Sequence, residues 1–313
     1  MPKSASKTLP PIMQRTIRRP VHAIGIGVHS GEKVRMTLRP AEEHSGIRFV
    51  RTHLDAPAEV RASAQNVSDT TLSTSLADNG IQIATVEHLL SALWGLGVDN
   101  LVVELSSEEV PIMDGSAAPF IYLINTVGLV EQRVAKEFIR ITRPIKVNQG
   151  DAEAALKPFM GFKASYTFVA DHPVYNRYPK RAQLDFSQTS YVDQVSRARS
   201  FGLINELQQA QAINKCLGSS LENAVGIDDF AVLNDDGLRY QDEFVKHKLL
   251  DAIGDLYLLG HPILGEFEGY KSGHALNNKL ARALLRCEDA WQLTTFGEEP
   301  RQLETPILQP AVI

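Results

Sequence analysis

The sequence predicts an α+β protein built from two similar units. Each half of the 313-residue chain opens with short strands and then carries a helix with a histidine near its start. The two helices share a pattern, because VEHLLSAL at residues 86–93 resembles VKHKLLDAI at residues 245–253 with one residue inserted. An internal similarity of this kind indicates two copies of one structural unit. We therefore expect two α+β units that face each other across a cleft.

The first half alternates short strands with two helices. A helix is predicted over residues 85–96, because apolar residues recur at helical spacing and Thr85 can act as the N-cap. A second helix is expected at residues 120–127, and residues 130–137 are expected to form a linker. Residues 69–76 are rich in Ser and Thr, which favours loops or edge strands. The predicted strands of this half are residues 21–28, 34–38, 47–51 and 101–105.

The second half begins with strands and continues mainly with helices. Gly150 and Asp151 are typical of a hairpin turn between two of the strands. The predicted strands are residues 138–147, 152–156, 162–170 and 263–269. The predicted helices are residues 191–199, 203–214, 245–255 and 275–286.

These elements are assigned to two domains. The first domain covers residues 14–133, and the second covers residues 134–298. Residues 1–13 are expected to be a mobile extension, and residues 299–313 a weakly ordered tail. A chain of 313 residues is long enough for two such domains.

Composition excludes several classes of protein. A net charge of −5 gives no general reason to expect nucleic-acid binding. The basic first residues lack the apolar core of a signal peptide, and no segment approaches the roughly 20 apolar residues that span a bilayer. The two cysteines, Cys216 and Cys287, cannot form a disulfide framework or a cysteine-based zinc site. We expect a reduced, cytoplasmic protein.

The predicted helix at residues 245–255 carries the strongest candidate site. His247, Asp251 and Asp255 follow one another at intervals of four residues, so their side chains share one face. The opposite face is apolar and should be buried. A histidine and a carboxylate one turn apart can bind zinc, but they can equally form an ion pair at the surface. The residues alone leave both interpretations open.

Glu87 and His88 are neighbours on the predicted first-half helix. A hydrolytic zinc site usually has three protein ligands and a carboxylate that acts as general base. His88, His247 and Asp251 would supply the ligands, and Glu87 would be the base. The alternative is that Glu87 and His88 are solvated helix residues. The HExxH signature of thermolysin-like proteases and the zinc-deaminase motif are both absent from the sequence.

Three further residues have two interpretations each. His274 precedes a predicted helix and could be a general acid, kept protonated by Asp255, or an ordinary loop histidine. Lys248 could bind a substrate phosphate or only solvate its helix. Ser200 could donate a hydrogen bond to an oxyanion or be a turn serine.

Taken together, five segments resemble the LpxC family, the zinc-dependent UDP-3-O-acyl-N-acetylglucosamine deacetylases of lipid A biosynthesis. The resemblance extends from about residue 14 to about residue 296. Five motifs that occur in the same order make coincidence a poor explanation. They are TVEHLLSA at residues 85–92, PIMDGSAAPF at 111–120, SRARSFG at 196–202, HKLLDAIGD at 247–255 and YKSGHALNNK at 270–279.

The resemblance implies a fold and a role for each candidate residue. It implies two similar two-layer α/β sandwich domains, with helices packed face to face and the active site in the cleft. It assigns the zinc ligands to the positions of His88, His247 and Asp251. The other implied roles are general base for Glu87, general acid for His274, partner of that acid for Asp255, oxyanion stabilisation for Ser200 and substrate binding for Lys248.

Two positions depart from the pattern of the family. Ser200 stands where the family often has threonine, so the hydroxyl is kept while the methyl group that restricts its rotamer is lost. Ser73 stands where some relatives have cysteine, so inhibition by excess metal is expected to differ. Fe²⁺ would suit the same ligands as zinc.

The implied substrate is an acylated UDP-N-acetylglucosamine. We expect an apolar groove for its acyl chain, formed by an inserted segment of the second half. A monomer in the cytoplasm of a Gram-negative bacterium is expected, with transient contact to the inner membrane but no stable insertion and no nucleic-acid partner. Two alternatives remain: a zinc amidase that acts on another N-acetyl sugar or on a peptide, and a non-catalytic sugar-nucleotide-binding protein.

Overall fold

The computed structural model describes residues 11–54, 58–78, 80–186 and 191–296. The predicted C-terminal tail and most of the predicted N-terminal extension lie outside these residues. Within the described residues, no helix is both long and apolar enough to cross a membrane.

The first half is built around a five-stranded sheet. Its order is β2–β3–β9–β4–β5, with β9 antiparallel to β3 and parallel to β4. The strands of this half are β1 (Met13–Ile17), β2 (Val21–Ile26), β3 (Lys33–Pro40), β4 (Ile47–Arg51), β5 (Ala58–Arg61), β6 (Val67–Asp69), β7 (Ser75–Asp78), β8 (Ile81–Ile83), β9 (Leu101–Leu105) and β10 (Leu129–Ala135). The helices are α1 (Glu87–Leu96) and α2 (Ala118–Val127).

The second half is built around a seven-stranded sheet, which contains the path β12–β13–β18–β14–β15. Its strands are β11 (Glu137–Ile141), β12 (Ile145–Gln149), β13 (Ala152–Lys157), β14 (Phe162–Thr167), β15 (Arg181–Asp185), β16 (Phe201–Leu203), β17 (Val225–Ile227), β18 (Ile263–Tyr270) and β19 (Trp291–Thr295). Its helices are α3 (Tyr191–Gln194), α4 (Ile204–Ala212), α5 (Glu243–Tyr257) and α6 (His274–Arg286).

The two halves repeat one topology. In the second half, β18 is antiparallel to β13 and parallel to β14, as β9 is to β3 and β4 in the first half. Each central strand directly follows a long helix, α1 before β9 and α5 before β18. Each half also carries an insertion just before that helix: β6 to β8 in the first half and β16, α4 and β17 in the second. The prediction of two similar α+β units with helices between them is confirmed.

Helices α1 and α5 pack against each other between the sheets, within one hydrophobic core that includes both halves. The predicted apolar face of α5 is fully buried. A β-carbon on Gly254 of α5 would lie 2.0 Å from the carbonyl oxygen of Glu87 on α1. Glycine at this position therefore lets the two backbones touch at the residue that was predicted to be the general base.

Several predictions about local structure were wrong. Residues 130–137 are not a linker, because β10 occupies most of them and pairs with β1, a strand that was not predicted. The predicted start of the second domain, at residue 134, falls inside β10, and β1 begins at Met13, one residue before the predicted start of the first domain. The division into two domains at these residues remains a proposal. The single strand predicted at residues 138–147 is two strands, β11 and β12. The helix predicted at residues 191–199 is only the single turn of α3.

Thr85 was predicted to be the N-cap of α1, and this was wrong. The N-cap position is Val86, and Thr85 adopts a left-handed backbone conformation with φ of 60°. Its hydroxyl donates to Glu109 Oε1 at 3.0 Å, so it makes a tertiary contact where a helix cap was expected. Left-handed backbone is rare for a β-branched residue, and the bond to Glu109 helps to maintain it.

Replacing Gly254 with alanine should separate α1 from α5. We expect the free energy of unfolding to fall by about 1–3 kcal/mol because the new methyl group overlaps the Glu87 backbone. Urea unfolding of Gly254→Ala measures this, with Gly202→Ala as control, because a β-carbon at Gly202 meets no atom within 4 Å. Alanine in an unobstructed helix interior stabilises by about 1 kcal/mol relative to glycine. A more stable Gly254→Ala protein would contradict the contact.

Candidate active site

The three predicted metal ligands meet between α1 and α5. His88 comes from α1, and His247 and Asp251 come from α5, one turn apart. The Oδ1 atom of Asp251 lies 3.4 Å from His88 Nε2 and 3.3 Å from His247 Nε2. One donor atom from each residue lies within 4.8 Å of the other two, and all three side chains are buried.

The protonation of these residues suits a metal cation. His247 Nδ1 lies 3.0 Å from the carbonyl oxygen of Ala198, which can only accept, so the proton is on Nδ1 and the lone pair is on Nε2. Burial lowers the pKa of His247 to about 3, so the ring is neutral. Burial opposes ionisation of Asp251, but the ammonium of Lys248, 3.0 Å from Oδ2, holds the pKa of Asp251 well below its usual range. Asp251 Oδ1 is buried without a hydrogen-bond partner among the described residues. Two imidazoles and one carboxylate form a donor set that zinc accepts.

Glu87 lies beside the three ligands at the start of α1. Its carboxylate is buried, and Oε2 accepts a hydrogen bond from the backbone N–H of Thr74 at 3.0 Å. Oε1 is 3.9 Å from His274 Nε2. Burial raises the pKa of Glu87, against the opposing charge of His274. A carboxylate with a raised pKa is a better proton acceptor than an ordinary one.

His274 faces Glu87 from the first residue of α6. Its Nδ1 lies 2.9 Å from Asp255 Oδ2 on α5, which also accepts from Asn277 Nδ2 at 2.9 Å. Burial alone would lower the pKa of His274, but the charge and hydrogen bond of Asp255, together with Glu87, raise it to about 9. His274 is therefore protonated at neutral pH, unlike His247.

Lys248 and Ser200 also border this group. Lys248 Nζ donates to Asp251 Oδ2 at 3.0 Å and lies 5.7 Å from the ring centre of Phe201. The charge of Asp251 raises the pKa of Lys248 against the effect of burial, so the ammonium is retained. Ser200 lines the same cavity, and its backbone N–H donates to the carbonyl oxygen of Gly115 at 2.8 Å. Gly115 has φ of 84°, and a β-carbon there would meet Asn223 O at 2.0 Å.

All eight predicted site residues are therefore close together. His88, Glu87, His247, Asp251, Lys248, His274 and Ser200 line one cavity of about 360 Å³, and Asp255 supports it through His274. Apolar residues, mainly from the second-half insertion, line one part of this cavity, which we call the apolar arm. The arm includes Leu203, Ile204, Leu207, Ala210, Leu221 and Val225. Helix α4, which supplies part of this wall, has no fully buried residue, so its apolar side chains remain accessible to a ligand.

Sequence reasoning missed the residues that hold this site together. The side chain of Arg199 is buried against Glu243, with Nε to Oε1 at 2.9 Å. Glu243 also accepts from the backbone N–H of Arg199 at 3.0 Å. This pair fixes the segment that supplies the Ala198 carbonyl and Ser200. The SRARSFG motif was the only signal for it in the sequence.

Thr74 was also missed, because residues 69–76 looked only like Ser- and Thr-rich loops or edge strands. It lies just before β7, is 1% exposed, and contacts both Glu87 and Asp255. Ser73 beside it lines the cavity. A polar residue that is buried by tertiary contacts has no periodic pattern through which a sequence could reveal it.

Comparison with known proteins agrees with this geometry. Residues 14–286 match the LpxC family, described as UDP-3-O-acyl N-acetylglycosamine deacetylase. A relative from Marinobacter nauticus, named UDP-3-O-acyl-N-acetylglucosamine deacetylase, is 56% identical over 92% of this chain and 95% of its own length. Relatives of the same name from Hahella chejuensis and Chromohalobacter salexigens are 54% and 52% identical, over 95% and 96% of this chain and 99% of their own length. The chain belongs to the LpxC family of UDP-3-O-acyl N-acetylglycosamine deacetylases.

Proposed function

We propose that this chain hydrolyses the N-acetyl group of UDP-3-O-(3-hydroxyacyl)-N-acetylglucosamine, giving acetate and UDP-3-O-acyl-glucosamine for lipid A biosynthesis. Family membership and the names of the relatives support the substrate. The observation that carries the reaction type is the buried His88–His247–Asp251 group, with a carboxylate and a protonated imidazole on its border.

His88, His247 and Asp251 would hold a single divalent ion, which we propose to be zinc, with Fe²⁺ as an alternative for the same ligands. When it is bound, zinc supplies Lewis acidity toward water and toward an amide carbonyl. The neutral ring of His247 and the charged Asp251 are already in the protonation states that metal binding needs. Lys248 keeps the second oxygen of Asp251 occupied and so orients the first toward the histidines.

Glu87 is the proposed general base. Its Oε2 is occupied by the Thr74 N–H, whereas Oε1 faces the cavity and can take a proton from water. That water adds to the acetamide carbonyl carbon. We propose that the Ser200 hydroxyl donates to the developing oxyanion. In support, Ser200 lines the cavity, on a segment held by the Gly115 carbonyl and by Glu243.

His274 is the proposed general acid. Breaking the C–N bond directly would expel an amide anion, which is a very poor leaving group, so the nitrogen must receive a proton. His274 holds that proton on Nε2 at neutral pH because Asp255 engages Nδ1. The products are acetate and the free glucosamine amine. The reaction consumes one water and needs no other co-reactant.

The apolar arm of the cavity is proposed to hold the acyl chain. Its wall is formed by the second-half insertion, and it joins the polar part of the cavity directly. Lys248 is proposed to contact the substrate where the two parts of the cavity meet, because it lines the cavity and its side chain is 28% exposed. The cytoplasmic location, the monomeric state and transient contact with the inner membrane remain predictions from the sequence.

Acyl dependence separates this function from the closest alternative, a zinc amidase for another N-acetyl compound. Each buried methylene contributes about 0.8 kcal/mol, so every two carbons removed from the acyl chain should lower kcat/KM by roughly tenfold while the chain still lies in the arm. A non-catalytic sugar-nucleotide-binding protein would have no need for both Glu87 and His274.

Metal removal should abolish acetate release from the acylated UDP-sugar. We expect a loss of at least about 100-fold with chelator, restored by added zinc, because Lewis acidity contributes several kcal/mol to such reactions. The His247→Ala protein should bind less than stoichiometric zinc by mass spectrometry, whereas Lys246→Ala, altered at the neighbouring position, should retain it. Full activity in chelator would exclude the metal mechanism, and equal turnover of unacylated UDP-N-acetylglucosamine would exclude the proposed substrate.

The pH profile should depend on His274. The acid works in its protonated form, which is present below its pKa of about 9, so kcat should decline as the pH rises through that value. His274→Ala should lower kcat by about 100-fold or more and remove this decline, because a positioned acid contributes that much. His53→Ala, an exposed histidine, serves as control. An unchanged alkaline limb in His274→Ala would contradict the assignment.

A further inference from the structure

We propose that Thr74 is a positioning residue that holds the general base and the partner of the general acid in their working orientations. This inference rests on the proposed function and goes beyond it, since Thr74 belongs to neither the ligands nor the proton-transfer groups. Thr74 is 1% exposed and lies at the end of the loop between β6 and β7. Its N–H, carbonyl oxygen and hydroxyl each form a hydrogen bond at the site.

The backbone of Thr74 fixes the start of α1. Its N–H donates to Glu87 Oε2 at 3.0 Å, and its carbonyl oxygen accepts from the N–H of Val86 at 3.3 Å. The Val86 N–H lies at the N-terminus of the helix, where donors lack partners within the helix. With Oε2 engaged, Oε1 is the oxygen that faces His274 Nε2, at 3.9 Å. The backbone of Thr74 thus selects which oxygen of Glu87 can act on water.

The hydroxyl of Thr74 fixes Asp255 on the opposite side of the cleft. It donates to Asp255 Oδ1 at 2.6 Å, which is a short hydrogen bond of the kind that hydroxyls make to carboxylates. The other oxygen, Oδ2, accepts from His274 Nδ1 and Asn277 Nδ2. Both oxygens are therefore engaged, and the carboxylate cannot rotate away from His274 without losing a bond.

The bond between Thr74 and Asp255 also joins the two halves of the protein. Thr74 belongs to the first-half insertion, and Asp255 belongs to α5 of the second half, 181 positions away. Thr74 therefore links Glu87, the base on α1, to Asp255 on α5, which in turn holds the acid His274. Threonine suits this task because its branched side chain restricts χ1 and so directs the hydroxyl.

The test is a double-mutant cycle in the full-length zinc-loaded protein, with acetate release from the acylated UDP-sugar as readout. Thr74→Val keeps the shape and backbone bonds but removes the hydroxyl. We expect kcat to fall by about tenfold with KM within about twofold, as for loss of a hydrogen bond to a charged group. Thr74→Ser should stay within about threefold of the parent because it keeps the donor. Thr71→Val, an exposed change in the same loop, is the matched control.

The decisive comparison uses Asp255→Ala as the second background. If the hydroxyl acts through Asp255, Thr74→Val should cause less than about a twofold further loss there. An equal fall in both backgrounds would show a general structural effect and overturn the inference, as would parental kcat in Thr74→Val or a change confined to KM. Should Thr74→Val not fold, Thr74→Ala in the same cycle gives the same comparison.

A parent protein without acetate release would overturn the proposed function as well, whereas an active parent with an unaffected Thr74→Val overturns only this inference.

Discussion

The contact between α1 and α5 is the constraint on which the site depends. Gly254 allows the backbone of α5 to touch the backbone at Glu87, so the first turn of α1 lies directly against the face of α5. This packing places His88 beside His247 and Asp251. Buried charges are costly unless each has a partner. Glu87 of the first half lies 3.9 Å from His274 of the second half, and Thr74 donates to Asp255 across the same contact. Neither half alone contains both the proposed ligands and their surrounding groups.

The repeated topology explains how two insertions come to border one cleft. Both interrupt the shared unit at the same place, between the last edge strand and the central helix. Because the two central helices face each other, the segments that lead into them converge on the cleft. The first insertion delivers Thr74, and the second delivers Ser200 and the apolar arm. Duplication of a unit and separate elaboration of each copy is therefore sufficient to make an asymmetric active site from a symmetric framework.

The helices and the composition of the site could be predicted from the sequence, because both depend on local spacing. The spacing of His247, Asp251 and Asp255 already places them on one face of a helix. The strand β10 could not be predicted in this way, since its pairing partner β1 lies more than 110 residues earlier. The same limit applies to Thr85: a hydroxyl before a helix normally accepts from a helix N–H, but this hydroxyl donates to Glu109, 24 residues further along the chain. The site residues on the helices could therefore be predicted from the sequence, whereas the contacts of Thr74 and Arg199, which lie outside the helices, could not.

Two histidines in this site show how partners assign chemistry to one residue type. The His247 side chain is 4% exposed and that of His274 is 11% exposed, and burial lowers the pKa of each. Nδ1 of His247 faces a neutral backbone carbonyl, which orients the ring but adds little charge, and its pKa is about 3. Nδ1 of His274 faces the Asp255 carboxylate, and its pKa is about 9. A metal ligand needs a free lone pair and a general acid needs a proton, so an exchange of these two partners would disable both functions. The atoms that hold Asp255 in place therefore matter to the acid as well, because a carboxylate that turned away would remove the largest contribution that raises the pKa of His274.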